Sequence, residues 1–306
     1  MITAYYDPGY EAPLGNHVMP IRKFRLVAEA LRTNPRVELR QPEPVTEEDL
    51  LRVHTRAYVD AVRTGEPRTL AESQKLPWSP DLFRSVLLTN GGVLAASRSA
   101  LEAGVAAALA SGFHHASADH GEGFCTFNGL VVAGEALLAA GDLERVAVLD
   151  LDLHYGNGTA QLANGRGWLT NLSLYGNDYR DNTPYRDIAI RRHEDGPNHR
   201  SVPLPAGCDG ALLLEILERE LPSLLDGGRP DLLLFQAGAD PYCEDPYSPL
   251  DLDHAALLAR DRAVFRFAKA QGLPVAWVLA GGYTSDVTQV VTVHTNTFDA
   301  ALEVYG

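Results

Sequence analysis

Short apolar runs recur along the chain and predict the strands of a sheet. Several of them are continuous rather than alternating, which is typical of strands buried on both faces. The predicted strands are Ile2–Tyr6, Val37–Gln41, Ala106–Ala110, Val146–Leu151, Leu169–Leu174, Val202–Leu204, Leu232–Phe235 and Val275–Leu279.

Longer segments with helical periodicity lie between these runs, near residues 21–33, 80–102, 128–140, 211–226, 253–271 and 285–303. Ser79 and Asp253 stand where N-caps are expected. Alternating strands and helices favour an α/β fold with a central, mostly parallel sheet of about eight strands and helices on both faces. We find no internal repeat or linker, so residues 1–306 are expected to form a single domain.

The charge balance narrows the functions to consider. The chain has 26 Lys and Arg against 40 Asp and Glu, a formal net charge of −14. Because nucleic acids and anionic membranes are bound through basic surfaces, we expect neither as a partner. Three widely spaced cysteines, no signal peptide and no membrane-spanning run predict a cytoplasmic protein. A homo-oligomer is compatible with the sequence.

Polar residues follow two of the predicted strands and suggest a metal site. In a strand, Asp150, Asp152 and His154 would point to one face, and buried carboxylates need a partner or a metal. Asp240, just past the run Leu232–Phe235, would complete three ligands. Three ligands with one open position describe a catalytic zinc site, although this Asp/His/Asp set also suits Fe(II), Co(II) or Mn(II). The alternatives are a solvated strand end with an incidental histidine and a loop-capping Asp240.

Three further loops carry residues suited to catalysis. His114 and His115 follow a strand and are suited to acid–base work. A glycine-rich loop over 121–128 carries Phe124, and the last predicted strand runs into Gly281-Gly282-Tyr283. Each segment alone is compatible with an ordinary turn or a packed side chain. Because the carboxyl ends of parallel strands build one site, their joint occurrence indicates an active site.

The same motifs, in order and spacing, resemble the histone deacetylase superfamily of the arginase–deacetylase fold. The matching segments are His114-His115, Gly123-Phe124-Cys125, Asp150-Leu-Asp152-Leu-His154-x-Gly-Asn157-Gly, Ala237-Gly-Ala-Asp240 and Gly281-Gly282-Tyr283. The stretch from Asn16 to Phe24 looks like the N-terminal signature of the bacterial, class IV-like branch. The resemblance covers residues 3 to 300, nearly the whole chain.

This resemblance implies a role for each matching residue. Asp152, His154 and Asp240 would hold a catalytic zinc. His114 and His115 would be the active-site histidines, with Asp150 and Asn157 as their partners, and Tyr283 the electrophilic tyrosine. A structural potassium ion would be bound by Asp150, Asp152, His154, Ser173 and Leu174, partly through backbone carbonyls. The substrate tunnel would include Gly123, Phe124, Tyr185 and His17.

The implied reaction is hydrolysis of an N-acylated amine, with acyl-lysine as the first substrate class. His115 would accept the proton of a zinc-bound water, His115 or protonated His114 would protonate the leaving amine, and Tyr283 with zinc would stabilise the oxyanion. The chain departs from many family members in having Asn157 where they have a second aspartate. This difference leaves open how the roles of general acid and general base are divided between His114 and His115.

Other interpretations stay open at this point. Glu244 and Asp245 make the loop after Asp240 acidic, which would favour an acylpolyamine unless this is simply a solvated turn. A dinuclear manganese ureohydrolase of the same fold is disfavoured, because Pro241-Tyr242 supplies no second bridging aspartate. A catalytically silent protein that binds acylated amines is disfavoured, because every catalytic residue is present.

Overall fold

One parallel sheet organises the computed structural model, which describes residues 1–15, 17–177 and 193–306. Its eight strands in these ranges are β1 (Ile2–Tyr5), β2 (Val37–Arg40), β3 (Val105–Ala108), β4 (Val146–Asp150), β5 (Leu169–Tyr175), β6 (His199–Pro203), β7 (Leu232–Ala237) and β8 (Val275–Leu279). The spatial order is β2-β1-β3-β8-β7-β4-β5-β6, and every neighbouring pair is parallel. The predicted α/β class is confirmed.

The helices match the sequence prediction where they are long. They are α1 (Lys23–Leu31), α2 (Glu47–Leu51), α3 (Arg56–Thr64), α4 (Arg68–Ala71), α5 (Pro80–Ala103), α6 (Gly129–Ala140), α7 (Asn157–Ala163), α8 (Gly210–Glu220), α9 (His254–Gln271) and α10 (Val287–Tyr305). The Ser79 and Asp253 side chains cap α5 and α9 as predicted. Four short helices, α2, α3, α4 and α7, were not predicted, because short helices depend on tertiary packing more than on local periodicity.

The helices pack in two groups. α9 packs against α8 and α10, which also contacts α1, whereas α5 packs against α3 and α6. All residues of β3, β4, β7 and β8 are buried. The continuous apolar runs therefore belong to strands covered on both faces. No helix in the described ranges is long and apolar enough to cross a bilayer.

The sheet order decides where the chemistry lies. The strands that precede the His pair, the Asp150–His154 segment, Asp240 and Tyr283 are β3, β4, β7 and β8, and these four are adjacent in space as β3-β8-β7-β4. Their carboxyl ends therefore meet at one edge of the sheet.

Candidate active site

The segment after β4 is built from side-chain turns rather than from a strand. β4 ends at Asp150, whose Oδ1 accepts from Asp152 N–H at 3.1 Å. Asp152 Oδ1 accepts in turn from His154 N–H at 2.9 Å. An aspartate side chain that accepts from the backbone N–H two residues further on forms an Asx turn. Two such turns in succession bend the segment from Asp150 to His154. The prediction that these side chains share one strand face is wrong for this reason.

The curl brings two carboxylates and one imidazole together. Ligand atoms of Asp152, His154 and Asp240 lie within 4.8 Å of one another, and all three residues are buried. The backbone of Gly281 closes one side, because its N–H donates to Asp152 Oδ2 at 2.8 Å and an added Cβ would lie 1.7 Å from Asp240 Oδ2. These contacts hold the two aspartates in fixed positions.

The charges of this cluster call for a cation. Burial would lower the pKa of His154, but hydrogen bonds from its ring to Asp152 and Asp240 raise that pKa to about 10. Burial and the charge of Asp152 raise the pKa of Asp240. Two buried carboxylates this close are compensated by a proton on one of them, by a proton on the imidazole or by a metal ion. The donor set of two carboxylate oxygens and one imidazole nitrogen fits a divalent metal.

The paired histidines lie beside the cluster with different partners. Their ring centroids are 4.0 Å apart, and both side chains are buried. His114 Nδ1 lies 2.7 Å from Asp150 Oδ2, and His115 Nδ1 lies 2.6 Å from Asn157 Oδ1. Burial would lower the pKa of His114, but Asp150 and Asp152 raise it above its usual range. Burial, with the charges of His114 and His154, lowers the pKa of His115 well below its usual range.

Tyr283 stands over the cluster with its hydroxyl protonated. Its ring centroid lies 6.0 Å from that of His154 and 5.4 Å from that of Tyr247. Burial and the charges of Asp240 and Asp152 raise the pKa of Tyr283 well above its usual range. The phenol is therefore an O–H donor at neutral pH.

Asp245 fixes the backbone of this tyrosine instead of facing solvent. Its buried carboxylate accepts from Tyr283 N–H at 2.7 Å and from Tyr247 N–H at 3.1 Å. Of the two acidic residues that the sequence places in this loop, only Glu244 is exposed. A solvated turn is therefore the wrong description of Asp245, and so is a rim carboxylate awaiting a cationic substrate.

The predicted tunnel residues are only partly brought together. Gly123 and Phe124 have φ values of 49° and 65°, and the Phe124 ring lies 6.5 Å from that of Tyr283. His17 packs edge-to-face on Phe124 at 5.0 Å, but its ring nitrogens bond the backbone of Met19 and Lys75. Tyr185 lies outside the described residues.

Ser173 and Leu174, which are predicted to bind potassium, are both buried. Ser173 is paired with Asp150 in the register of β4 and β5, and its Oγ is buried without a hydrogen-bond partner among the residues that the structure describes. Leu174 follows it in β5 and is buried as well. An unpartnered hydroxyl next to a buried carboxylate suits a monovalent cation, whose ligands are oxygen atoms.

Arg260, a residue that no sequence motif indicated, joins the two ligand loops. Arg260 of α9 is buried, and its Nη1 donates to Leu151 O at 3.2 Å and to Gly238 O at 2.8 Å. These carbonyls precede Asp152 and Asp240. The adjacent charged residues Arg260 and Asp261 in the helical pattern could have indicated this role, because Arg and Asp are rarely buried unless they are paired.

Comparison with known proteins agrees with this geometry. The family model of the histone deacetylase domain matches residues 17–298. An uncharacterised protein of Picosynechococcus sp. is 30% identical over 310 residues, which cover 98% of both chains. A histone deacetylase-like amidohydrolase of Pseudomonas aeruginosa is 29% identical over 269 residues, covering 86% of this chain and 70% of that protein.

The fold has counterparts among solved structures. The acetylpolyamine aminohydrolase of Burkholderia pseudomallei superimposes with a TM-score of 0.78 at 22% identity, covering 98% of both chains. At this identity the likeness supports the fold. It agrees with the single parallel sheet described above.

Proposed function

This chain belongs to the histone deacetylase family, and from that membership we propose that it is a zinc-dependent deacetylase acting on N-acylated amines, with acyl-lysine as the first substrate class. Family membership supports hydrolysis of an amide. The observation that carries the proposal is the buried Asp152–His154–Asp240 cluster with the His pair and Tyr283 around it. We further propose that residues 1–306 act as one catalytic domain.

The cluster would supply the metal ligands that this chemistry needs. Asp152, His154 and Asp240 would hold the zinc ion, which when bound polarises an acyl carbonyl and lowers the pKa of a water molecule. Fe(II), Co(II) and Mn(II) are alternative occupants of such a ligand set. We propose potassium for the site at Ser173 and Leu174, where Asp150, Asp152 and His154 would add further oxygens.

The remaining residues would move protons and stabilise charge. His115, whose low pKa keeps it neutral at physiological pH, would accept the proton of the attacking water. His114, whose pKa is raised beside Asp150, would hold a positive charge next to the reacting centre, and one of the two histidines would protonate the leaving amine. The Tyr283 hydroxyl would donate to the oxyanion.

Release of free amine from a defined panel tests the proposal. The panel contains acetyl-lysine and longer acyl-lysine peptides and acetylated polyamines. The polyamines are included because one fold neighbour is an acetylpolyamine aminohydrolase and because Glu244, which precedes Asp245 in the chain, is exposed. Zinc-loaded wild type should hydrolyse at least one member, and Asp240→Ala should hydrolyse none and lose the metal. Stoichiometric zinc without any turnover would refute the proposal and favour a silent binding protein.

A second variant separates chemistry from metal binding. Tyr283→Phe should keep the metal and the fold but lose about 10²–10³ in kcat, the usual cost of one oxyanion donor. Near wild-type turnover of this variant would remove Tyr283 from the mechanism.

A further inference from the structure

His115 is connected to a carboxylate through its direct hydrogen-bond partner, Asn157. His115 Nδ1 lies 2.6 Å from Asn157 Oδ1, and Asn157 Nδ2 donates to Glu122 Oε2 at 2.5 Å. His114, in contrast, reaches the Asp150 carboxylate directly. The hydrogen bonds His115–Asn157–Glu122 thus connect His115 to a carboxylate through the Asn157 amide.

Glu122 fixes which group donates and which accepts in the series of hydrogen bonds from His115 through Asn157 to Glu122. A carboxylate only accepts hydrogen bonds, so the amide nitrogen of Asn157 must face Glu122 and the amide oxygen must face His115. An amide oxygen also only accepts, so His115 must carry its proton on Nδ1. The Nε2 atom is then the nitrogen of this ring that is able to take a proton.

The backbone holds Glu122 in place for this contact. Cys125 N–H donates to Glu122 O at 2.7 Å across a tight turn whose central residues, Gly123 and Phe124, both have positive φ. On the other side, Gly121 N–H donates to Ser73 Oγ at 2.9 Å, and Phe124 N–H donates to Gln74 O at 3.0 Å. The half-buried Glu122 side chain therefore leaves a clamped segment.

We propose that Glu122 is a positioning residue that sets the direction of the Asn157 amide and thereby the tautomer of His115. The tautomer assignment depends only on the hydrogen-bond chain. The effect on turnover rests on the proposed function, in which His115 accepts the proton of the attacking water.

The variant Glu122→Gln tests the direction of the chain. An amide at this position can donate as well as accept, so both orientations of Asn157 become possible and the charge is lost. We expect kcat to fall about tenfold, with KM, zinc content and melting temperature unchanged. Asp119→Asn is the matched control, because it makes the same change in the same loop on a side chain that is 68% exposed and pairs with His120.

A compensating change should restore the direction. When Asn157→Asp is added to Glu122→Gln, the new carboxylate can only accept, from His115 on one side and from the glutamine amide on the other. We expect the double variant to be several-fold more active than Glu122→Gln alone. A double variant no more active than the single one would contradict the proposal.

The histidine tautomer is a readout independent of activity. In zinc-loaded protein with ¹⁵N-labelled histidine, long-range ¹H–¹⁵N spectra distinguish Nδ1–H from Nε2–H, and His115→Gln identifies the signal. We expect Nδ1–H in the wild type and a mixture in Glu122→Gln.

Several results would overturn the proposal. An Nε2–H wild type would do so, as would an unchanged tautomer in Glu122→Gln. A Glu122→Gln effect confined to KM, with an unchanged tautomer, would make Glu122 a substrate-binding residue instead. If the wild type turned over no member of the substrate panel, the proposed function would fail, and the tautomer would still decide the role of Glu122.

Discussion

A single methyl group at Gly281 should remove the metal site without removing the fold. An added Cβ would lie 1.7 Å from Asp240 Oδ2 and 2.2 Å from its Cγ. Ordinary contacts between such atoms need about 3.5 Å, so the carboxylate would have to move by about 1.5 Å or more. Metal–oxygen distances tolerate changes of only about 0.2 Å. Gly281→Ala therefore displaces a metal ligand.

The expected loss can be bounded. Removing a residue that merely supports a ligand typically weakens metal binding about 10–100-fold, so displacing the ligand itself should cost at least about 100-fold. Overpacking of a buried site should also cost about 1–3 kcal/mol in the free energy of unfolding. The assay is zinc titration of the metal-free protein by calorimetry, with thermal unfolding in parallel.

Two further variants make the result decisive. Gly167→Ala is the control, because an added Cβ there meets nothing within 4 Å. In an Asp240→Ala background the three atoms nearest to the added Cβ are gone, so Gly281→Ala should lose most of its destabilising effect. A Gly281→Ala protein that binds zinc as tightly as the wild type would refute the steric argument, as would an undiminished stability cost in the Asp240→Ala background.

Three other measurements test further features of the structure. The variant Asp245→Asn offers only one acceptor oxygen to the backbone N–H groups of Tyr247 and Tyr283. We therefore expect kcat to fall about tenfold with zinc retained. An unchanged kcat would contradict the positioning of Tyr283 by the Asp245 carboxylate. Because the pKa of His154 is raised to about 10 in the metal-free cluster, zinc binding at pH 7 should release about one proton from this ring. Calorimetry in buffers of different ionisation enthalpy should therefore give different binding enthalpies. A binding enthalpy that is the same in every buffer would contradict this. Burial lowers the pKa of His54 to about 4. As the pH falls, the histidine of the unfolded chain, whose pKa is about 6.5, binds a proton before His54 of the folded chain does. The free energy of unfolding should therefore decrease by about 3 kcal/mol as the pH drops from about 6.5 to 4. Urea unfolding should show a smaller loss over this range in His54→Gln, and equal losses in both proteins would exclude His54 as the cause.

The long elements could be predicted from the sequence because their signals are local. The apolar runs at Val146–Leu151 and Val275–Leu279 predicted strands that are buried on both faces of the sheet. Ser79 and Asp253 cap helices through contacts with their own first turns. The short helices carried no comparable signal, since their stability comes from the surfaces on which they pack.

The candidate site was predictable as a set of residues but not as an arrangement. Asp152, His154 and Asp240 could be named because each follows a strand that the sequence marks. Their mutual position could not, because Asx turns replaced the extended backbone that the spacing suggested. Asp245 shows the same limit, since its acidity predicted exposure and the fold buried it beneath Tyr283.

The sequence by itself determined the fold class, the caps and the residue types that follow each strand, because these depend on neighbours a few positions apart. Only the tertiary structure decided which of those residues meet. Gly281 against Asp240, Asp245 against Tyr283 and Glu122 against Asn157 are each separated by more than thirty positions in the chain. They come together because the strand order β3-β8-β7-β4 brings distant loops to one edge, and that order is set by the packing of the whole sheet rather than by any segment of it.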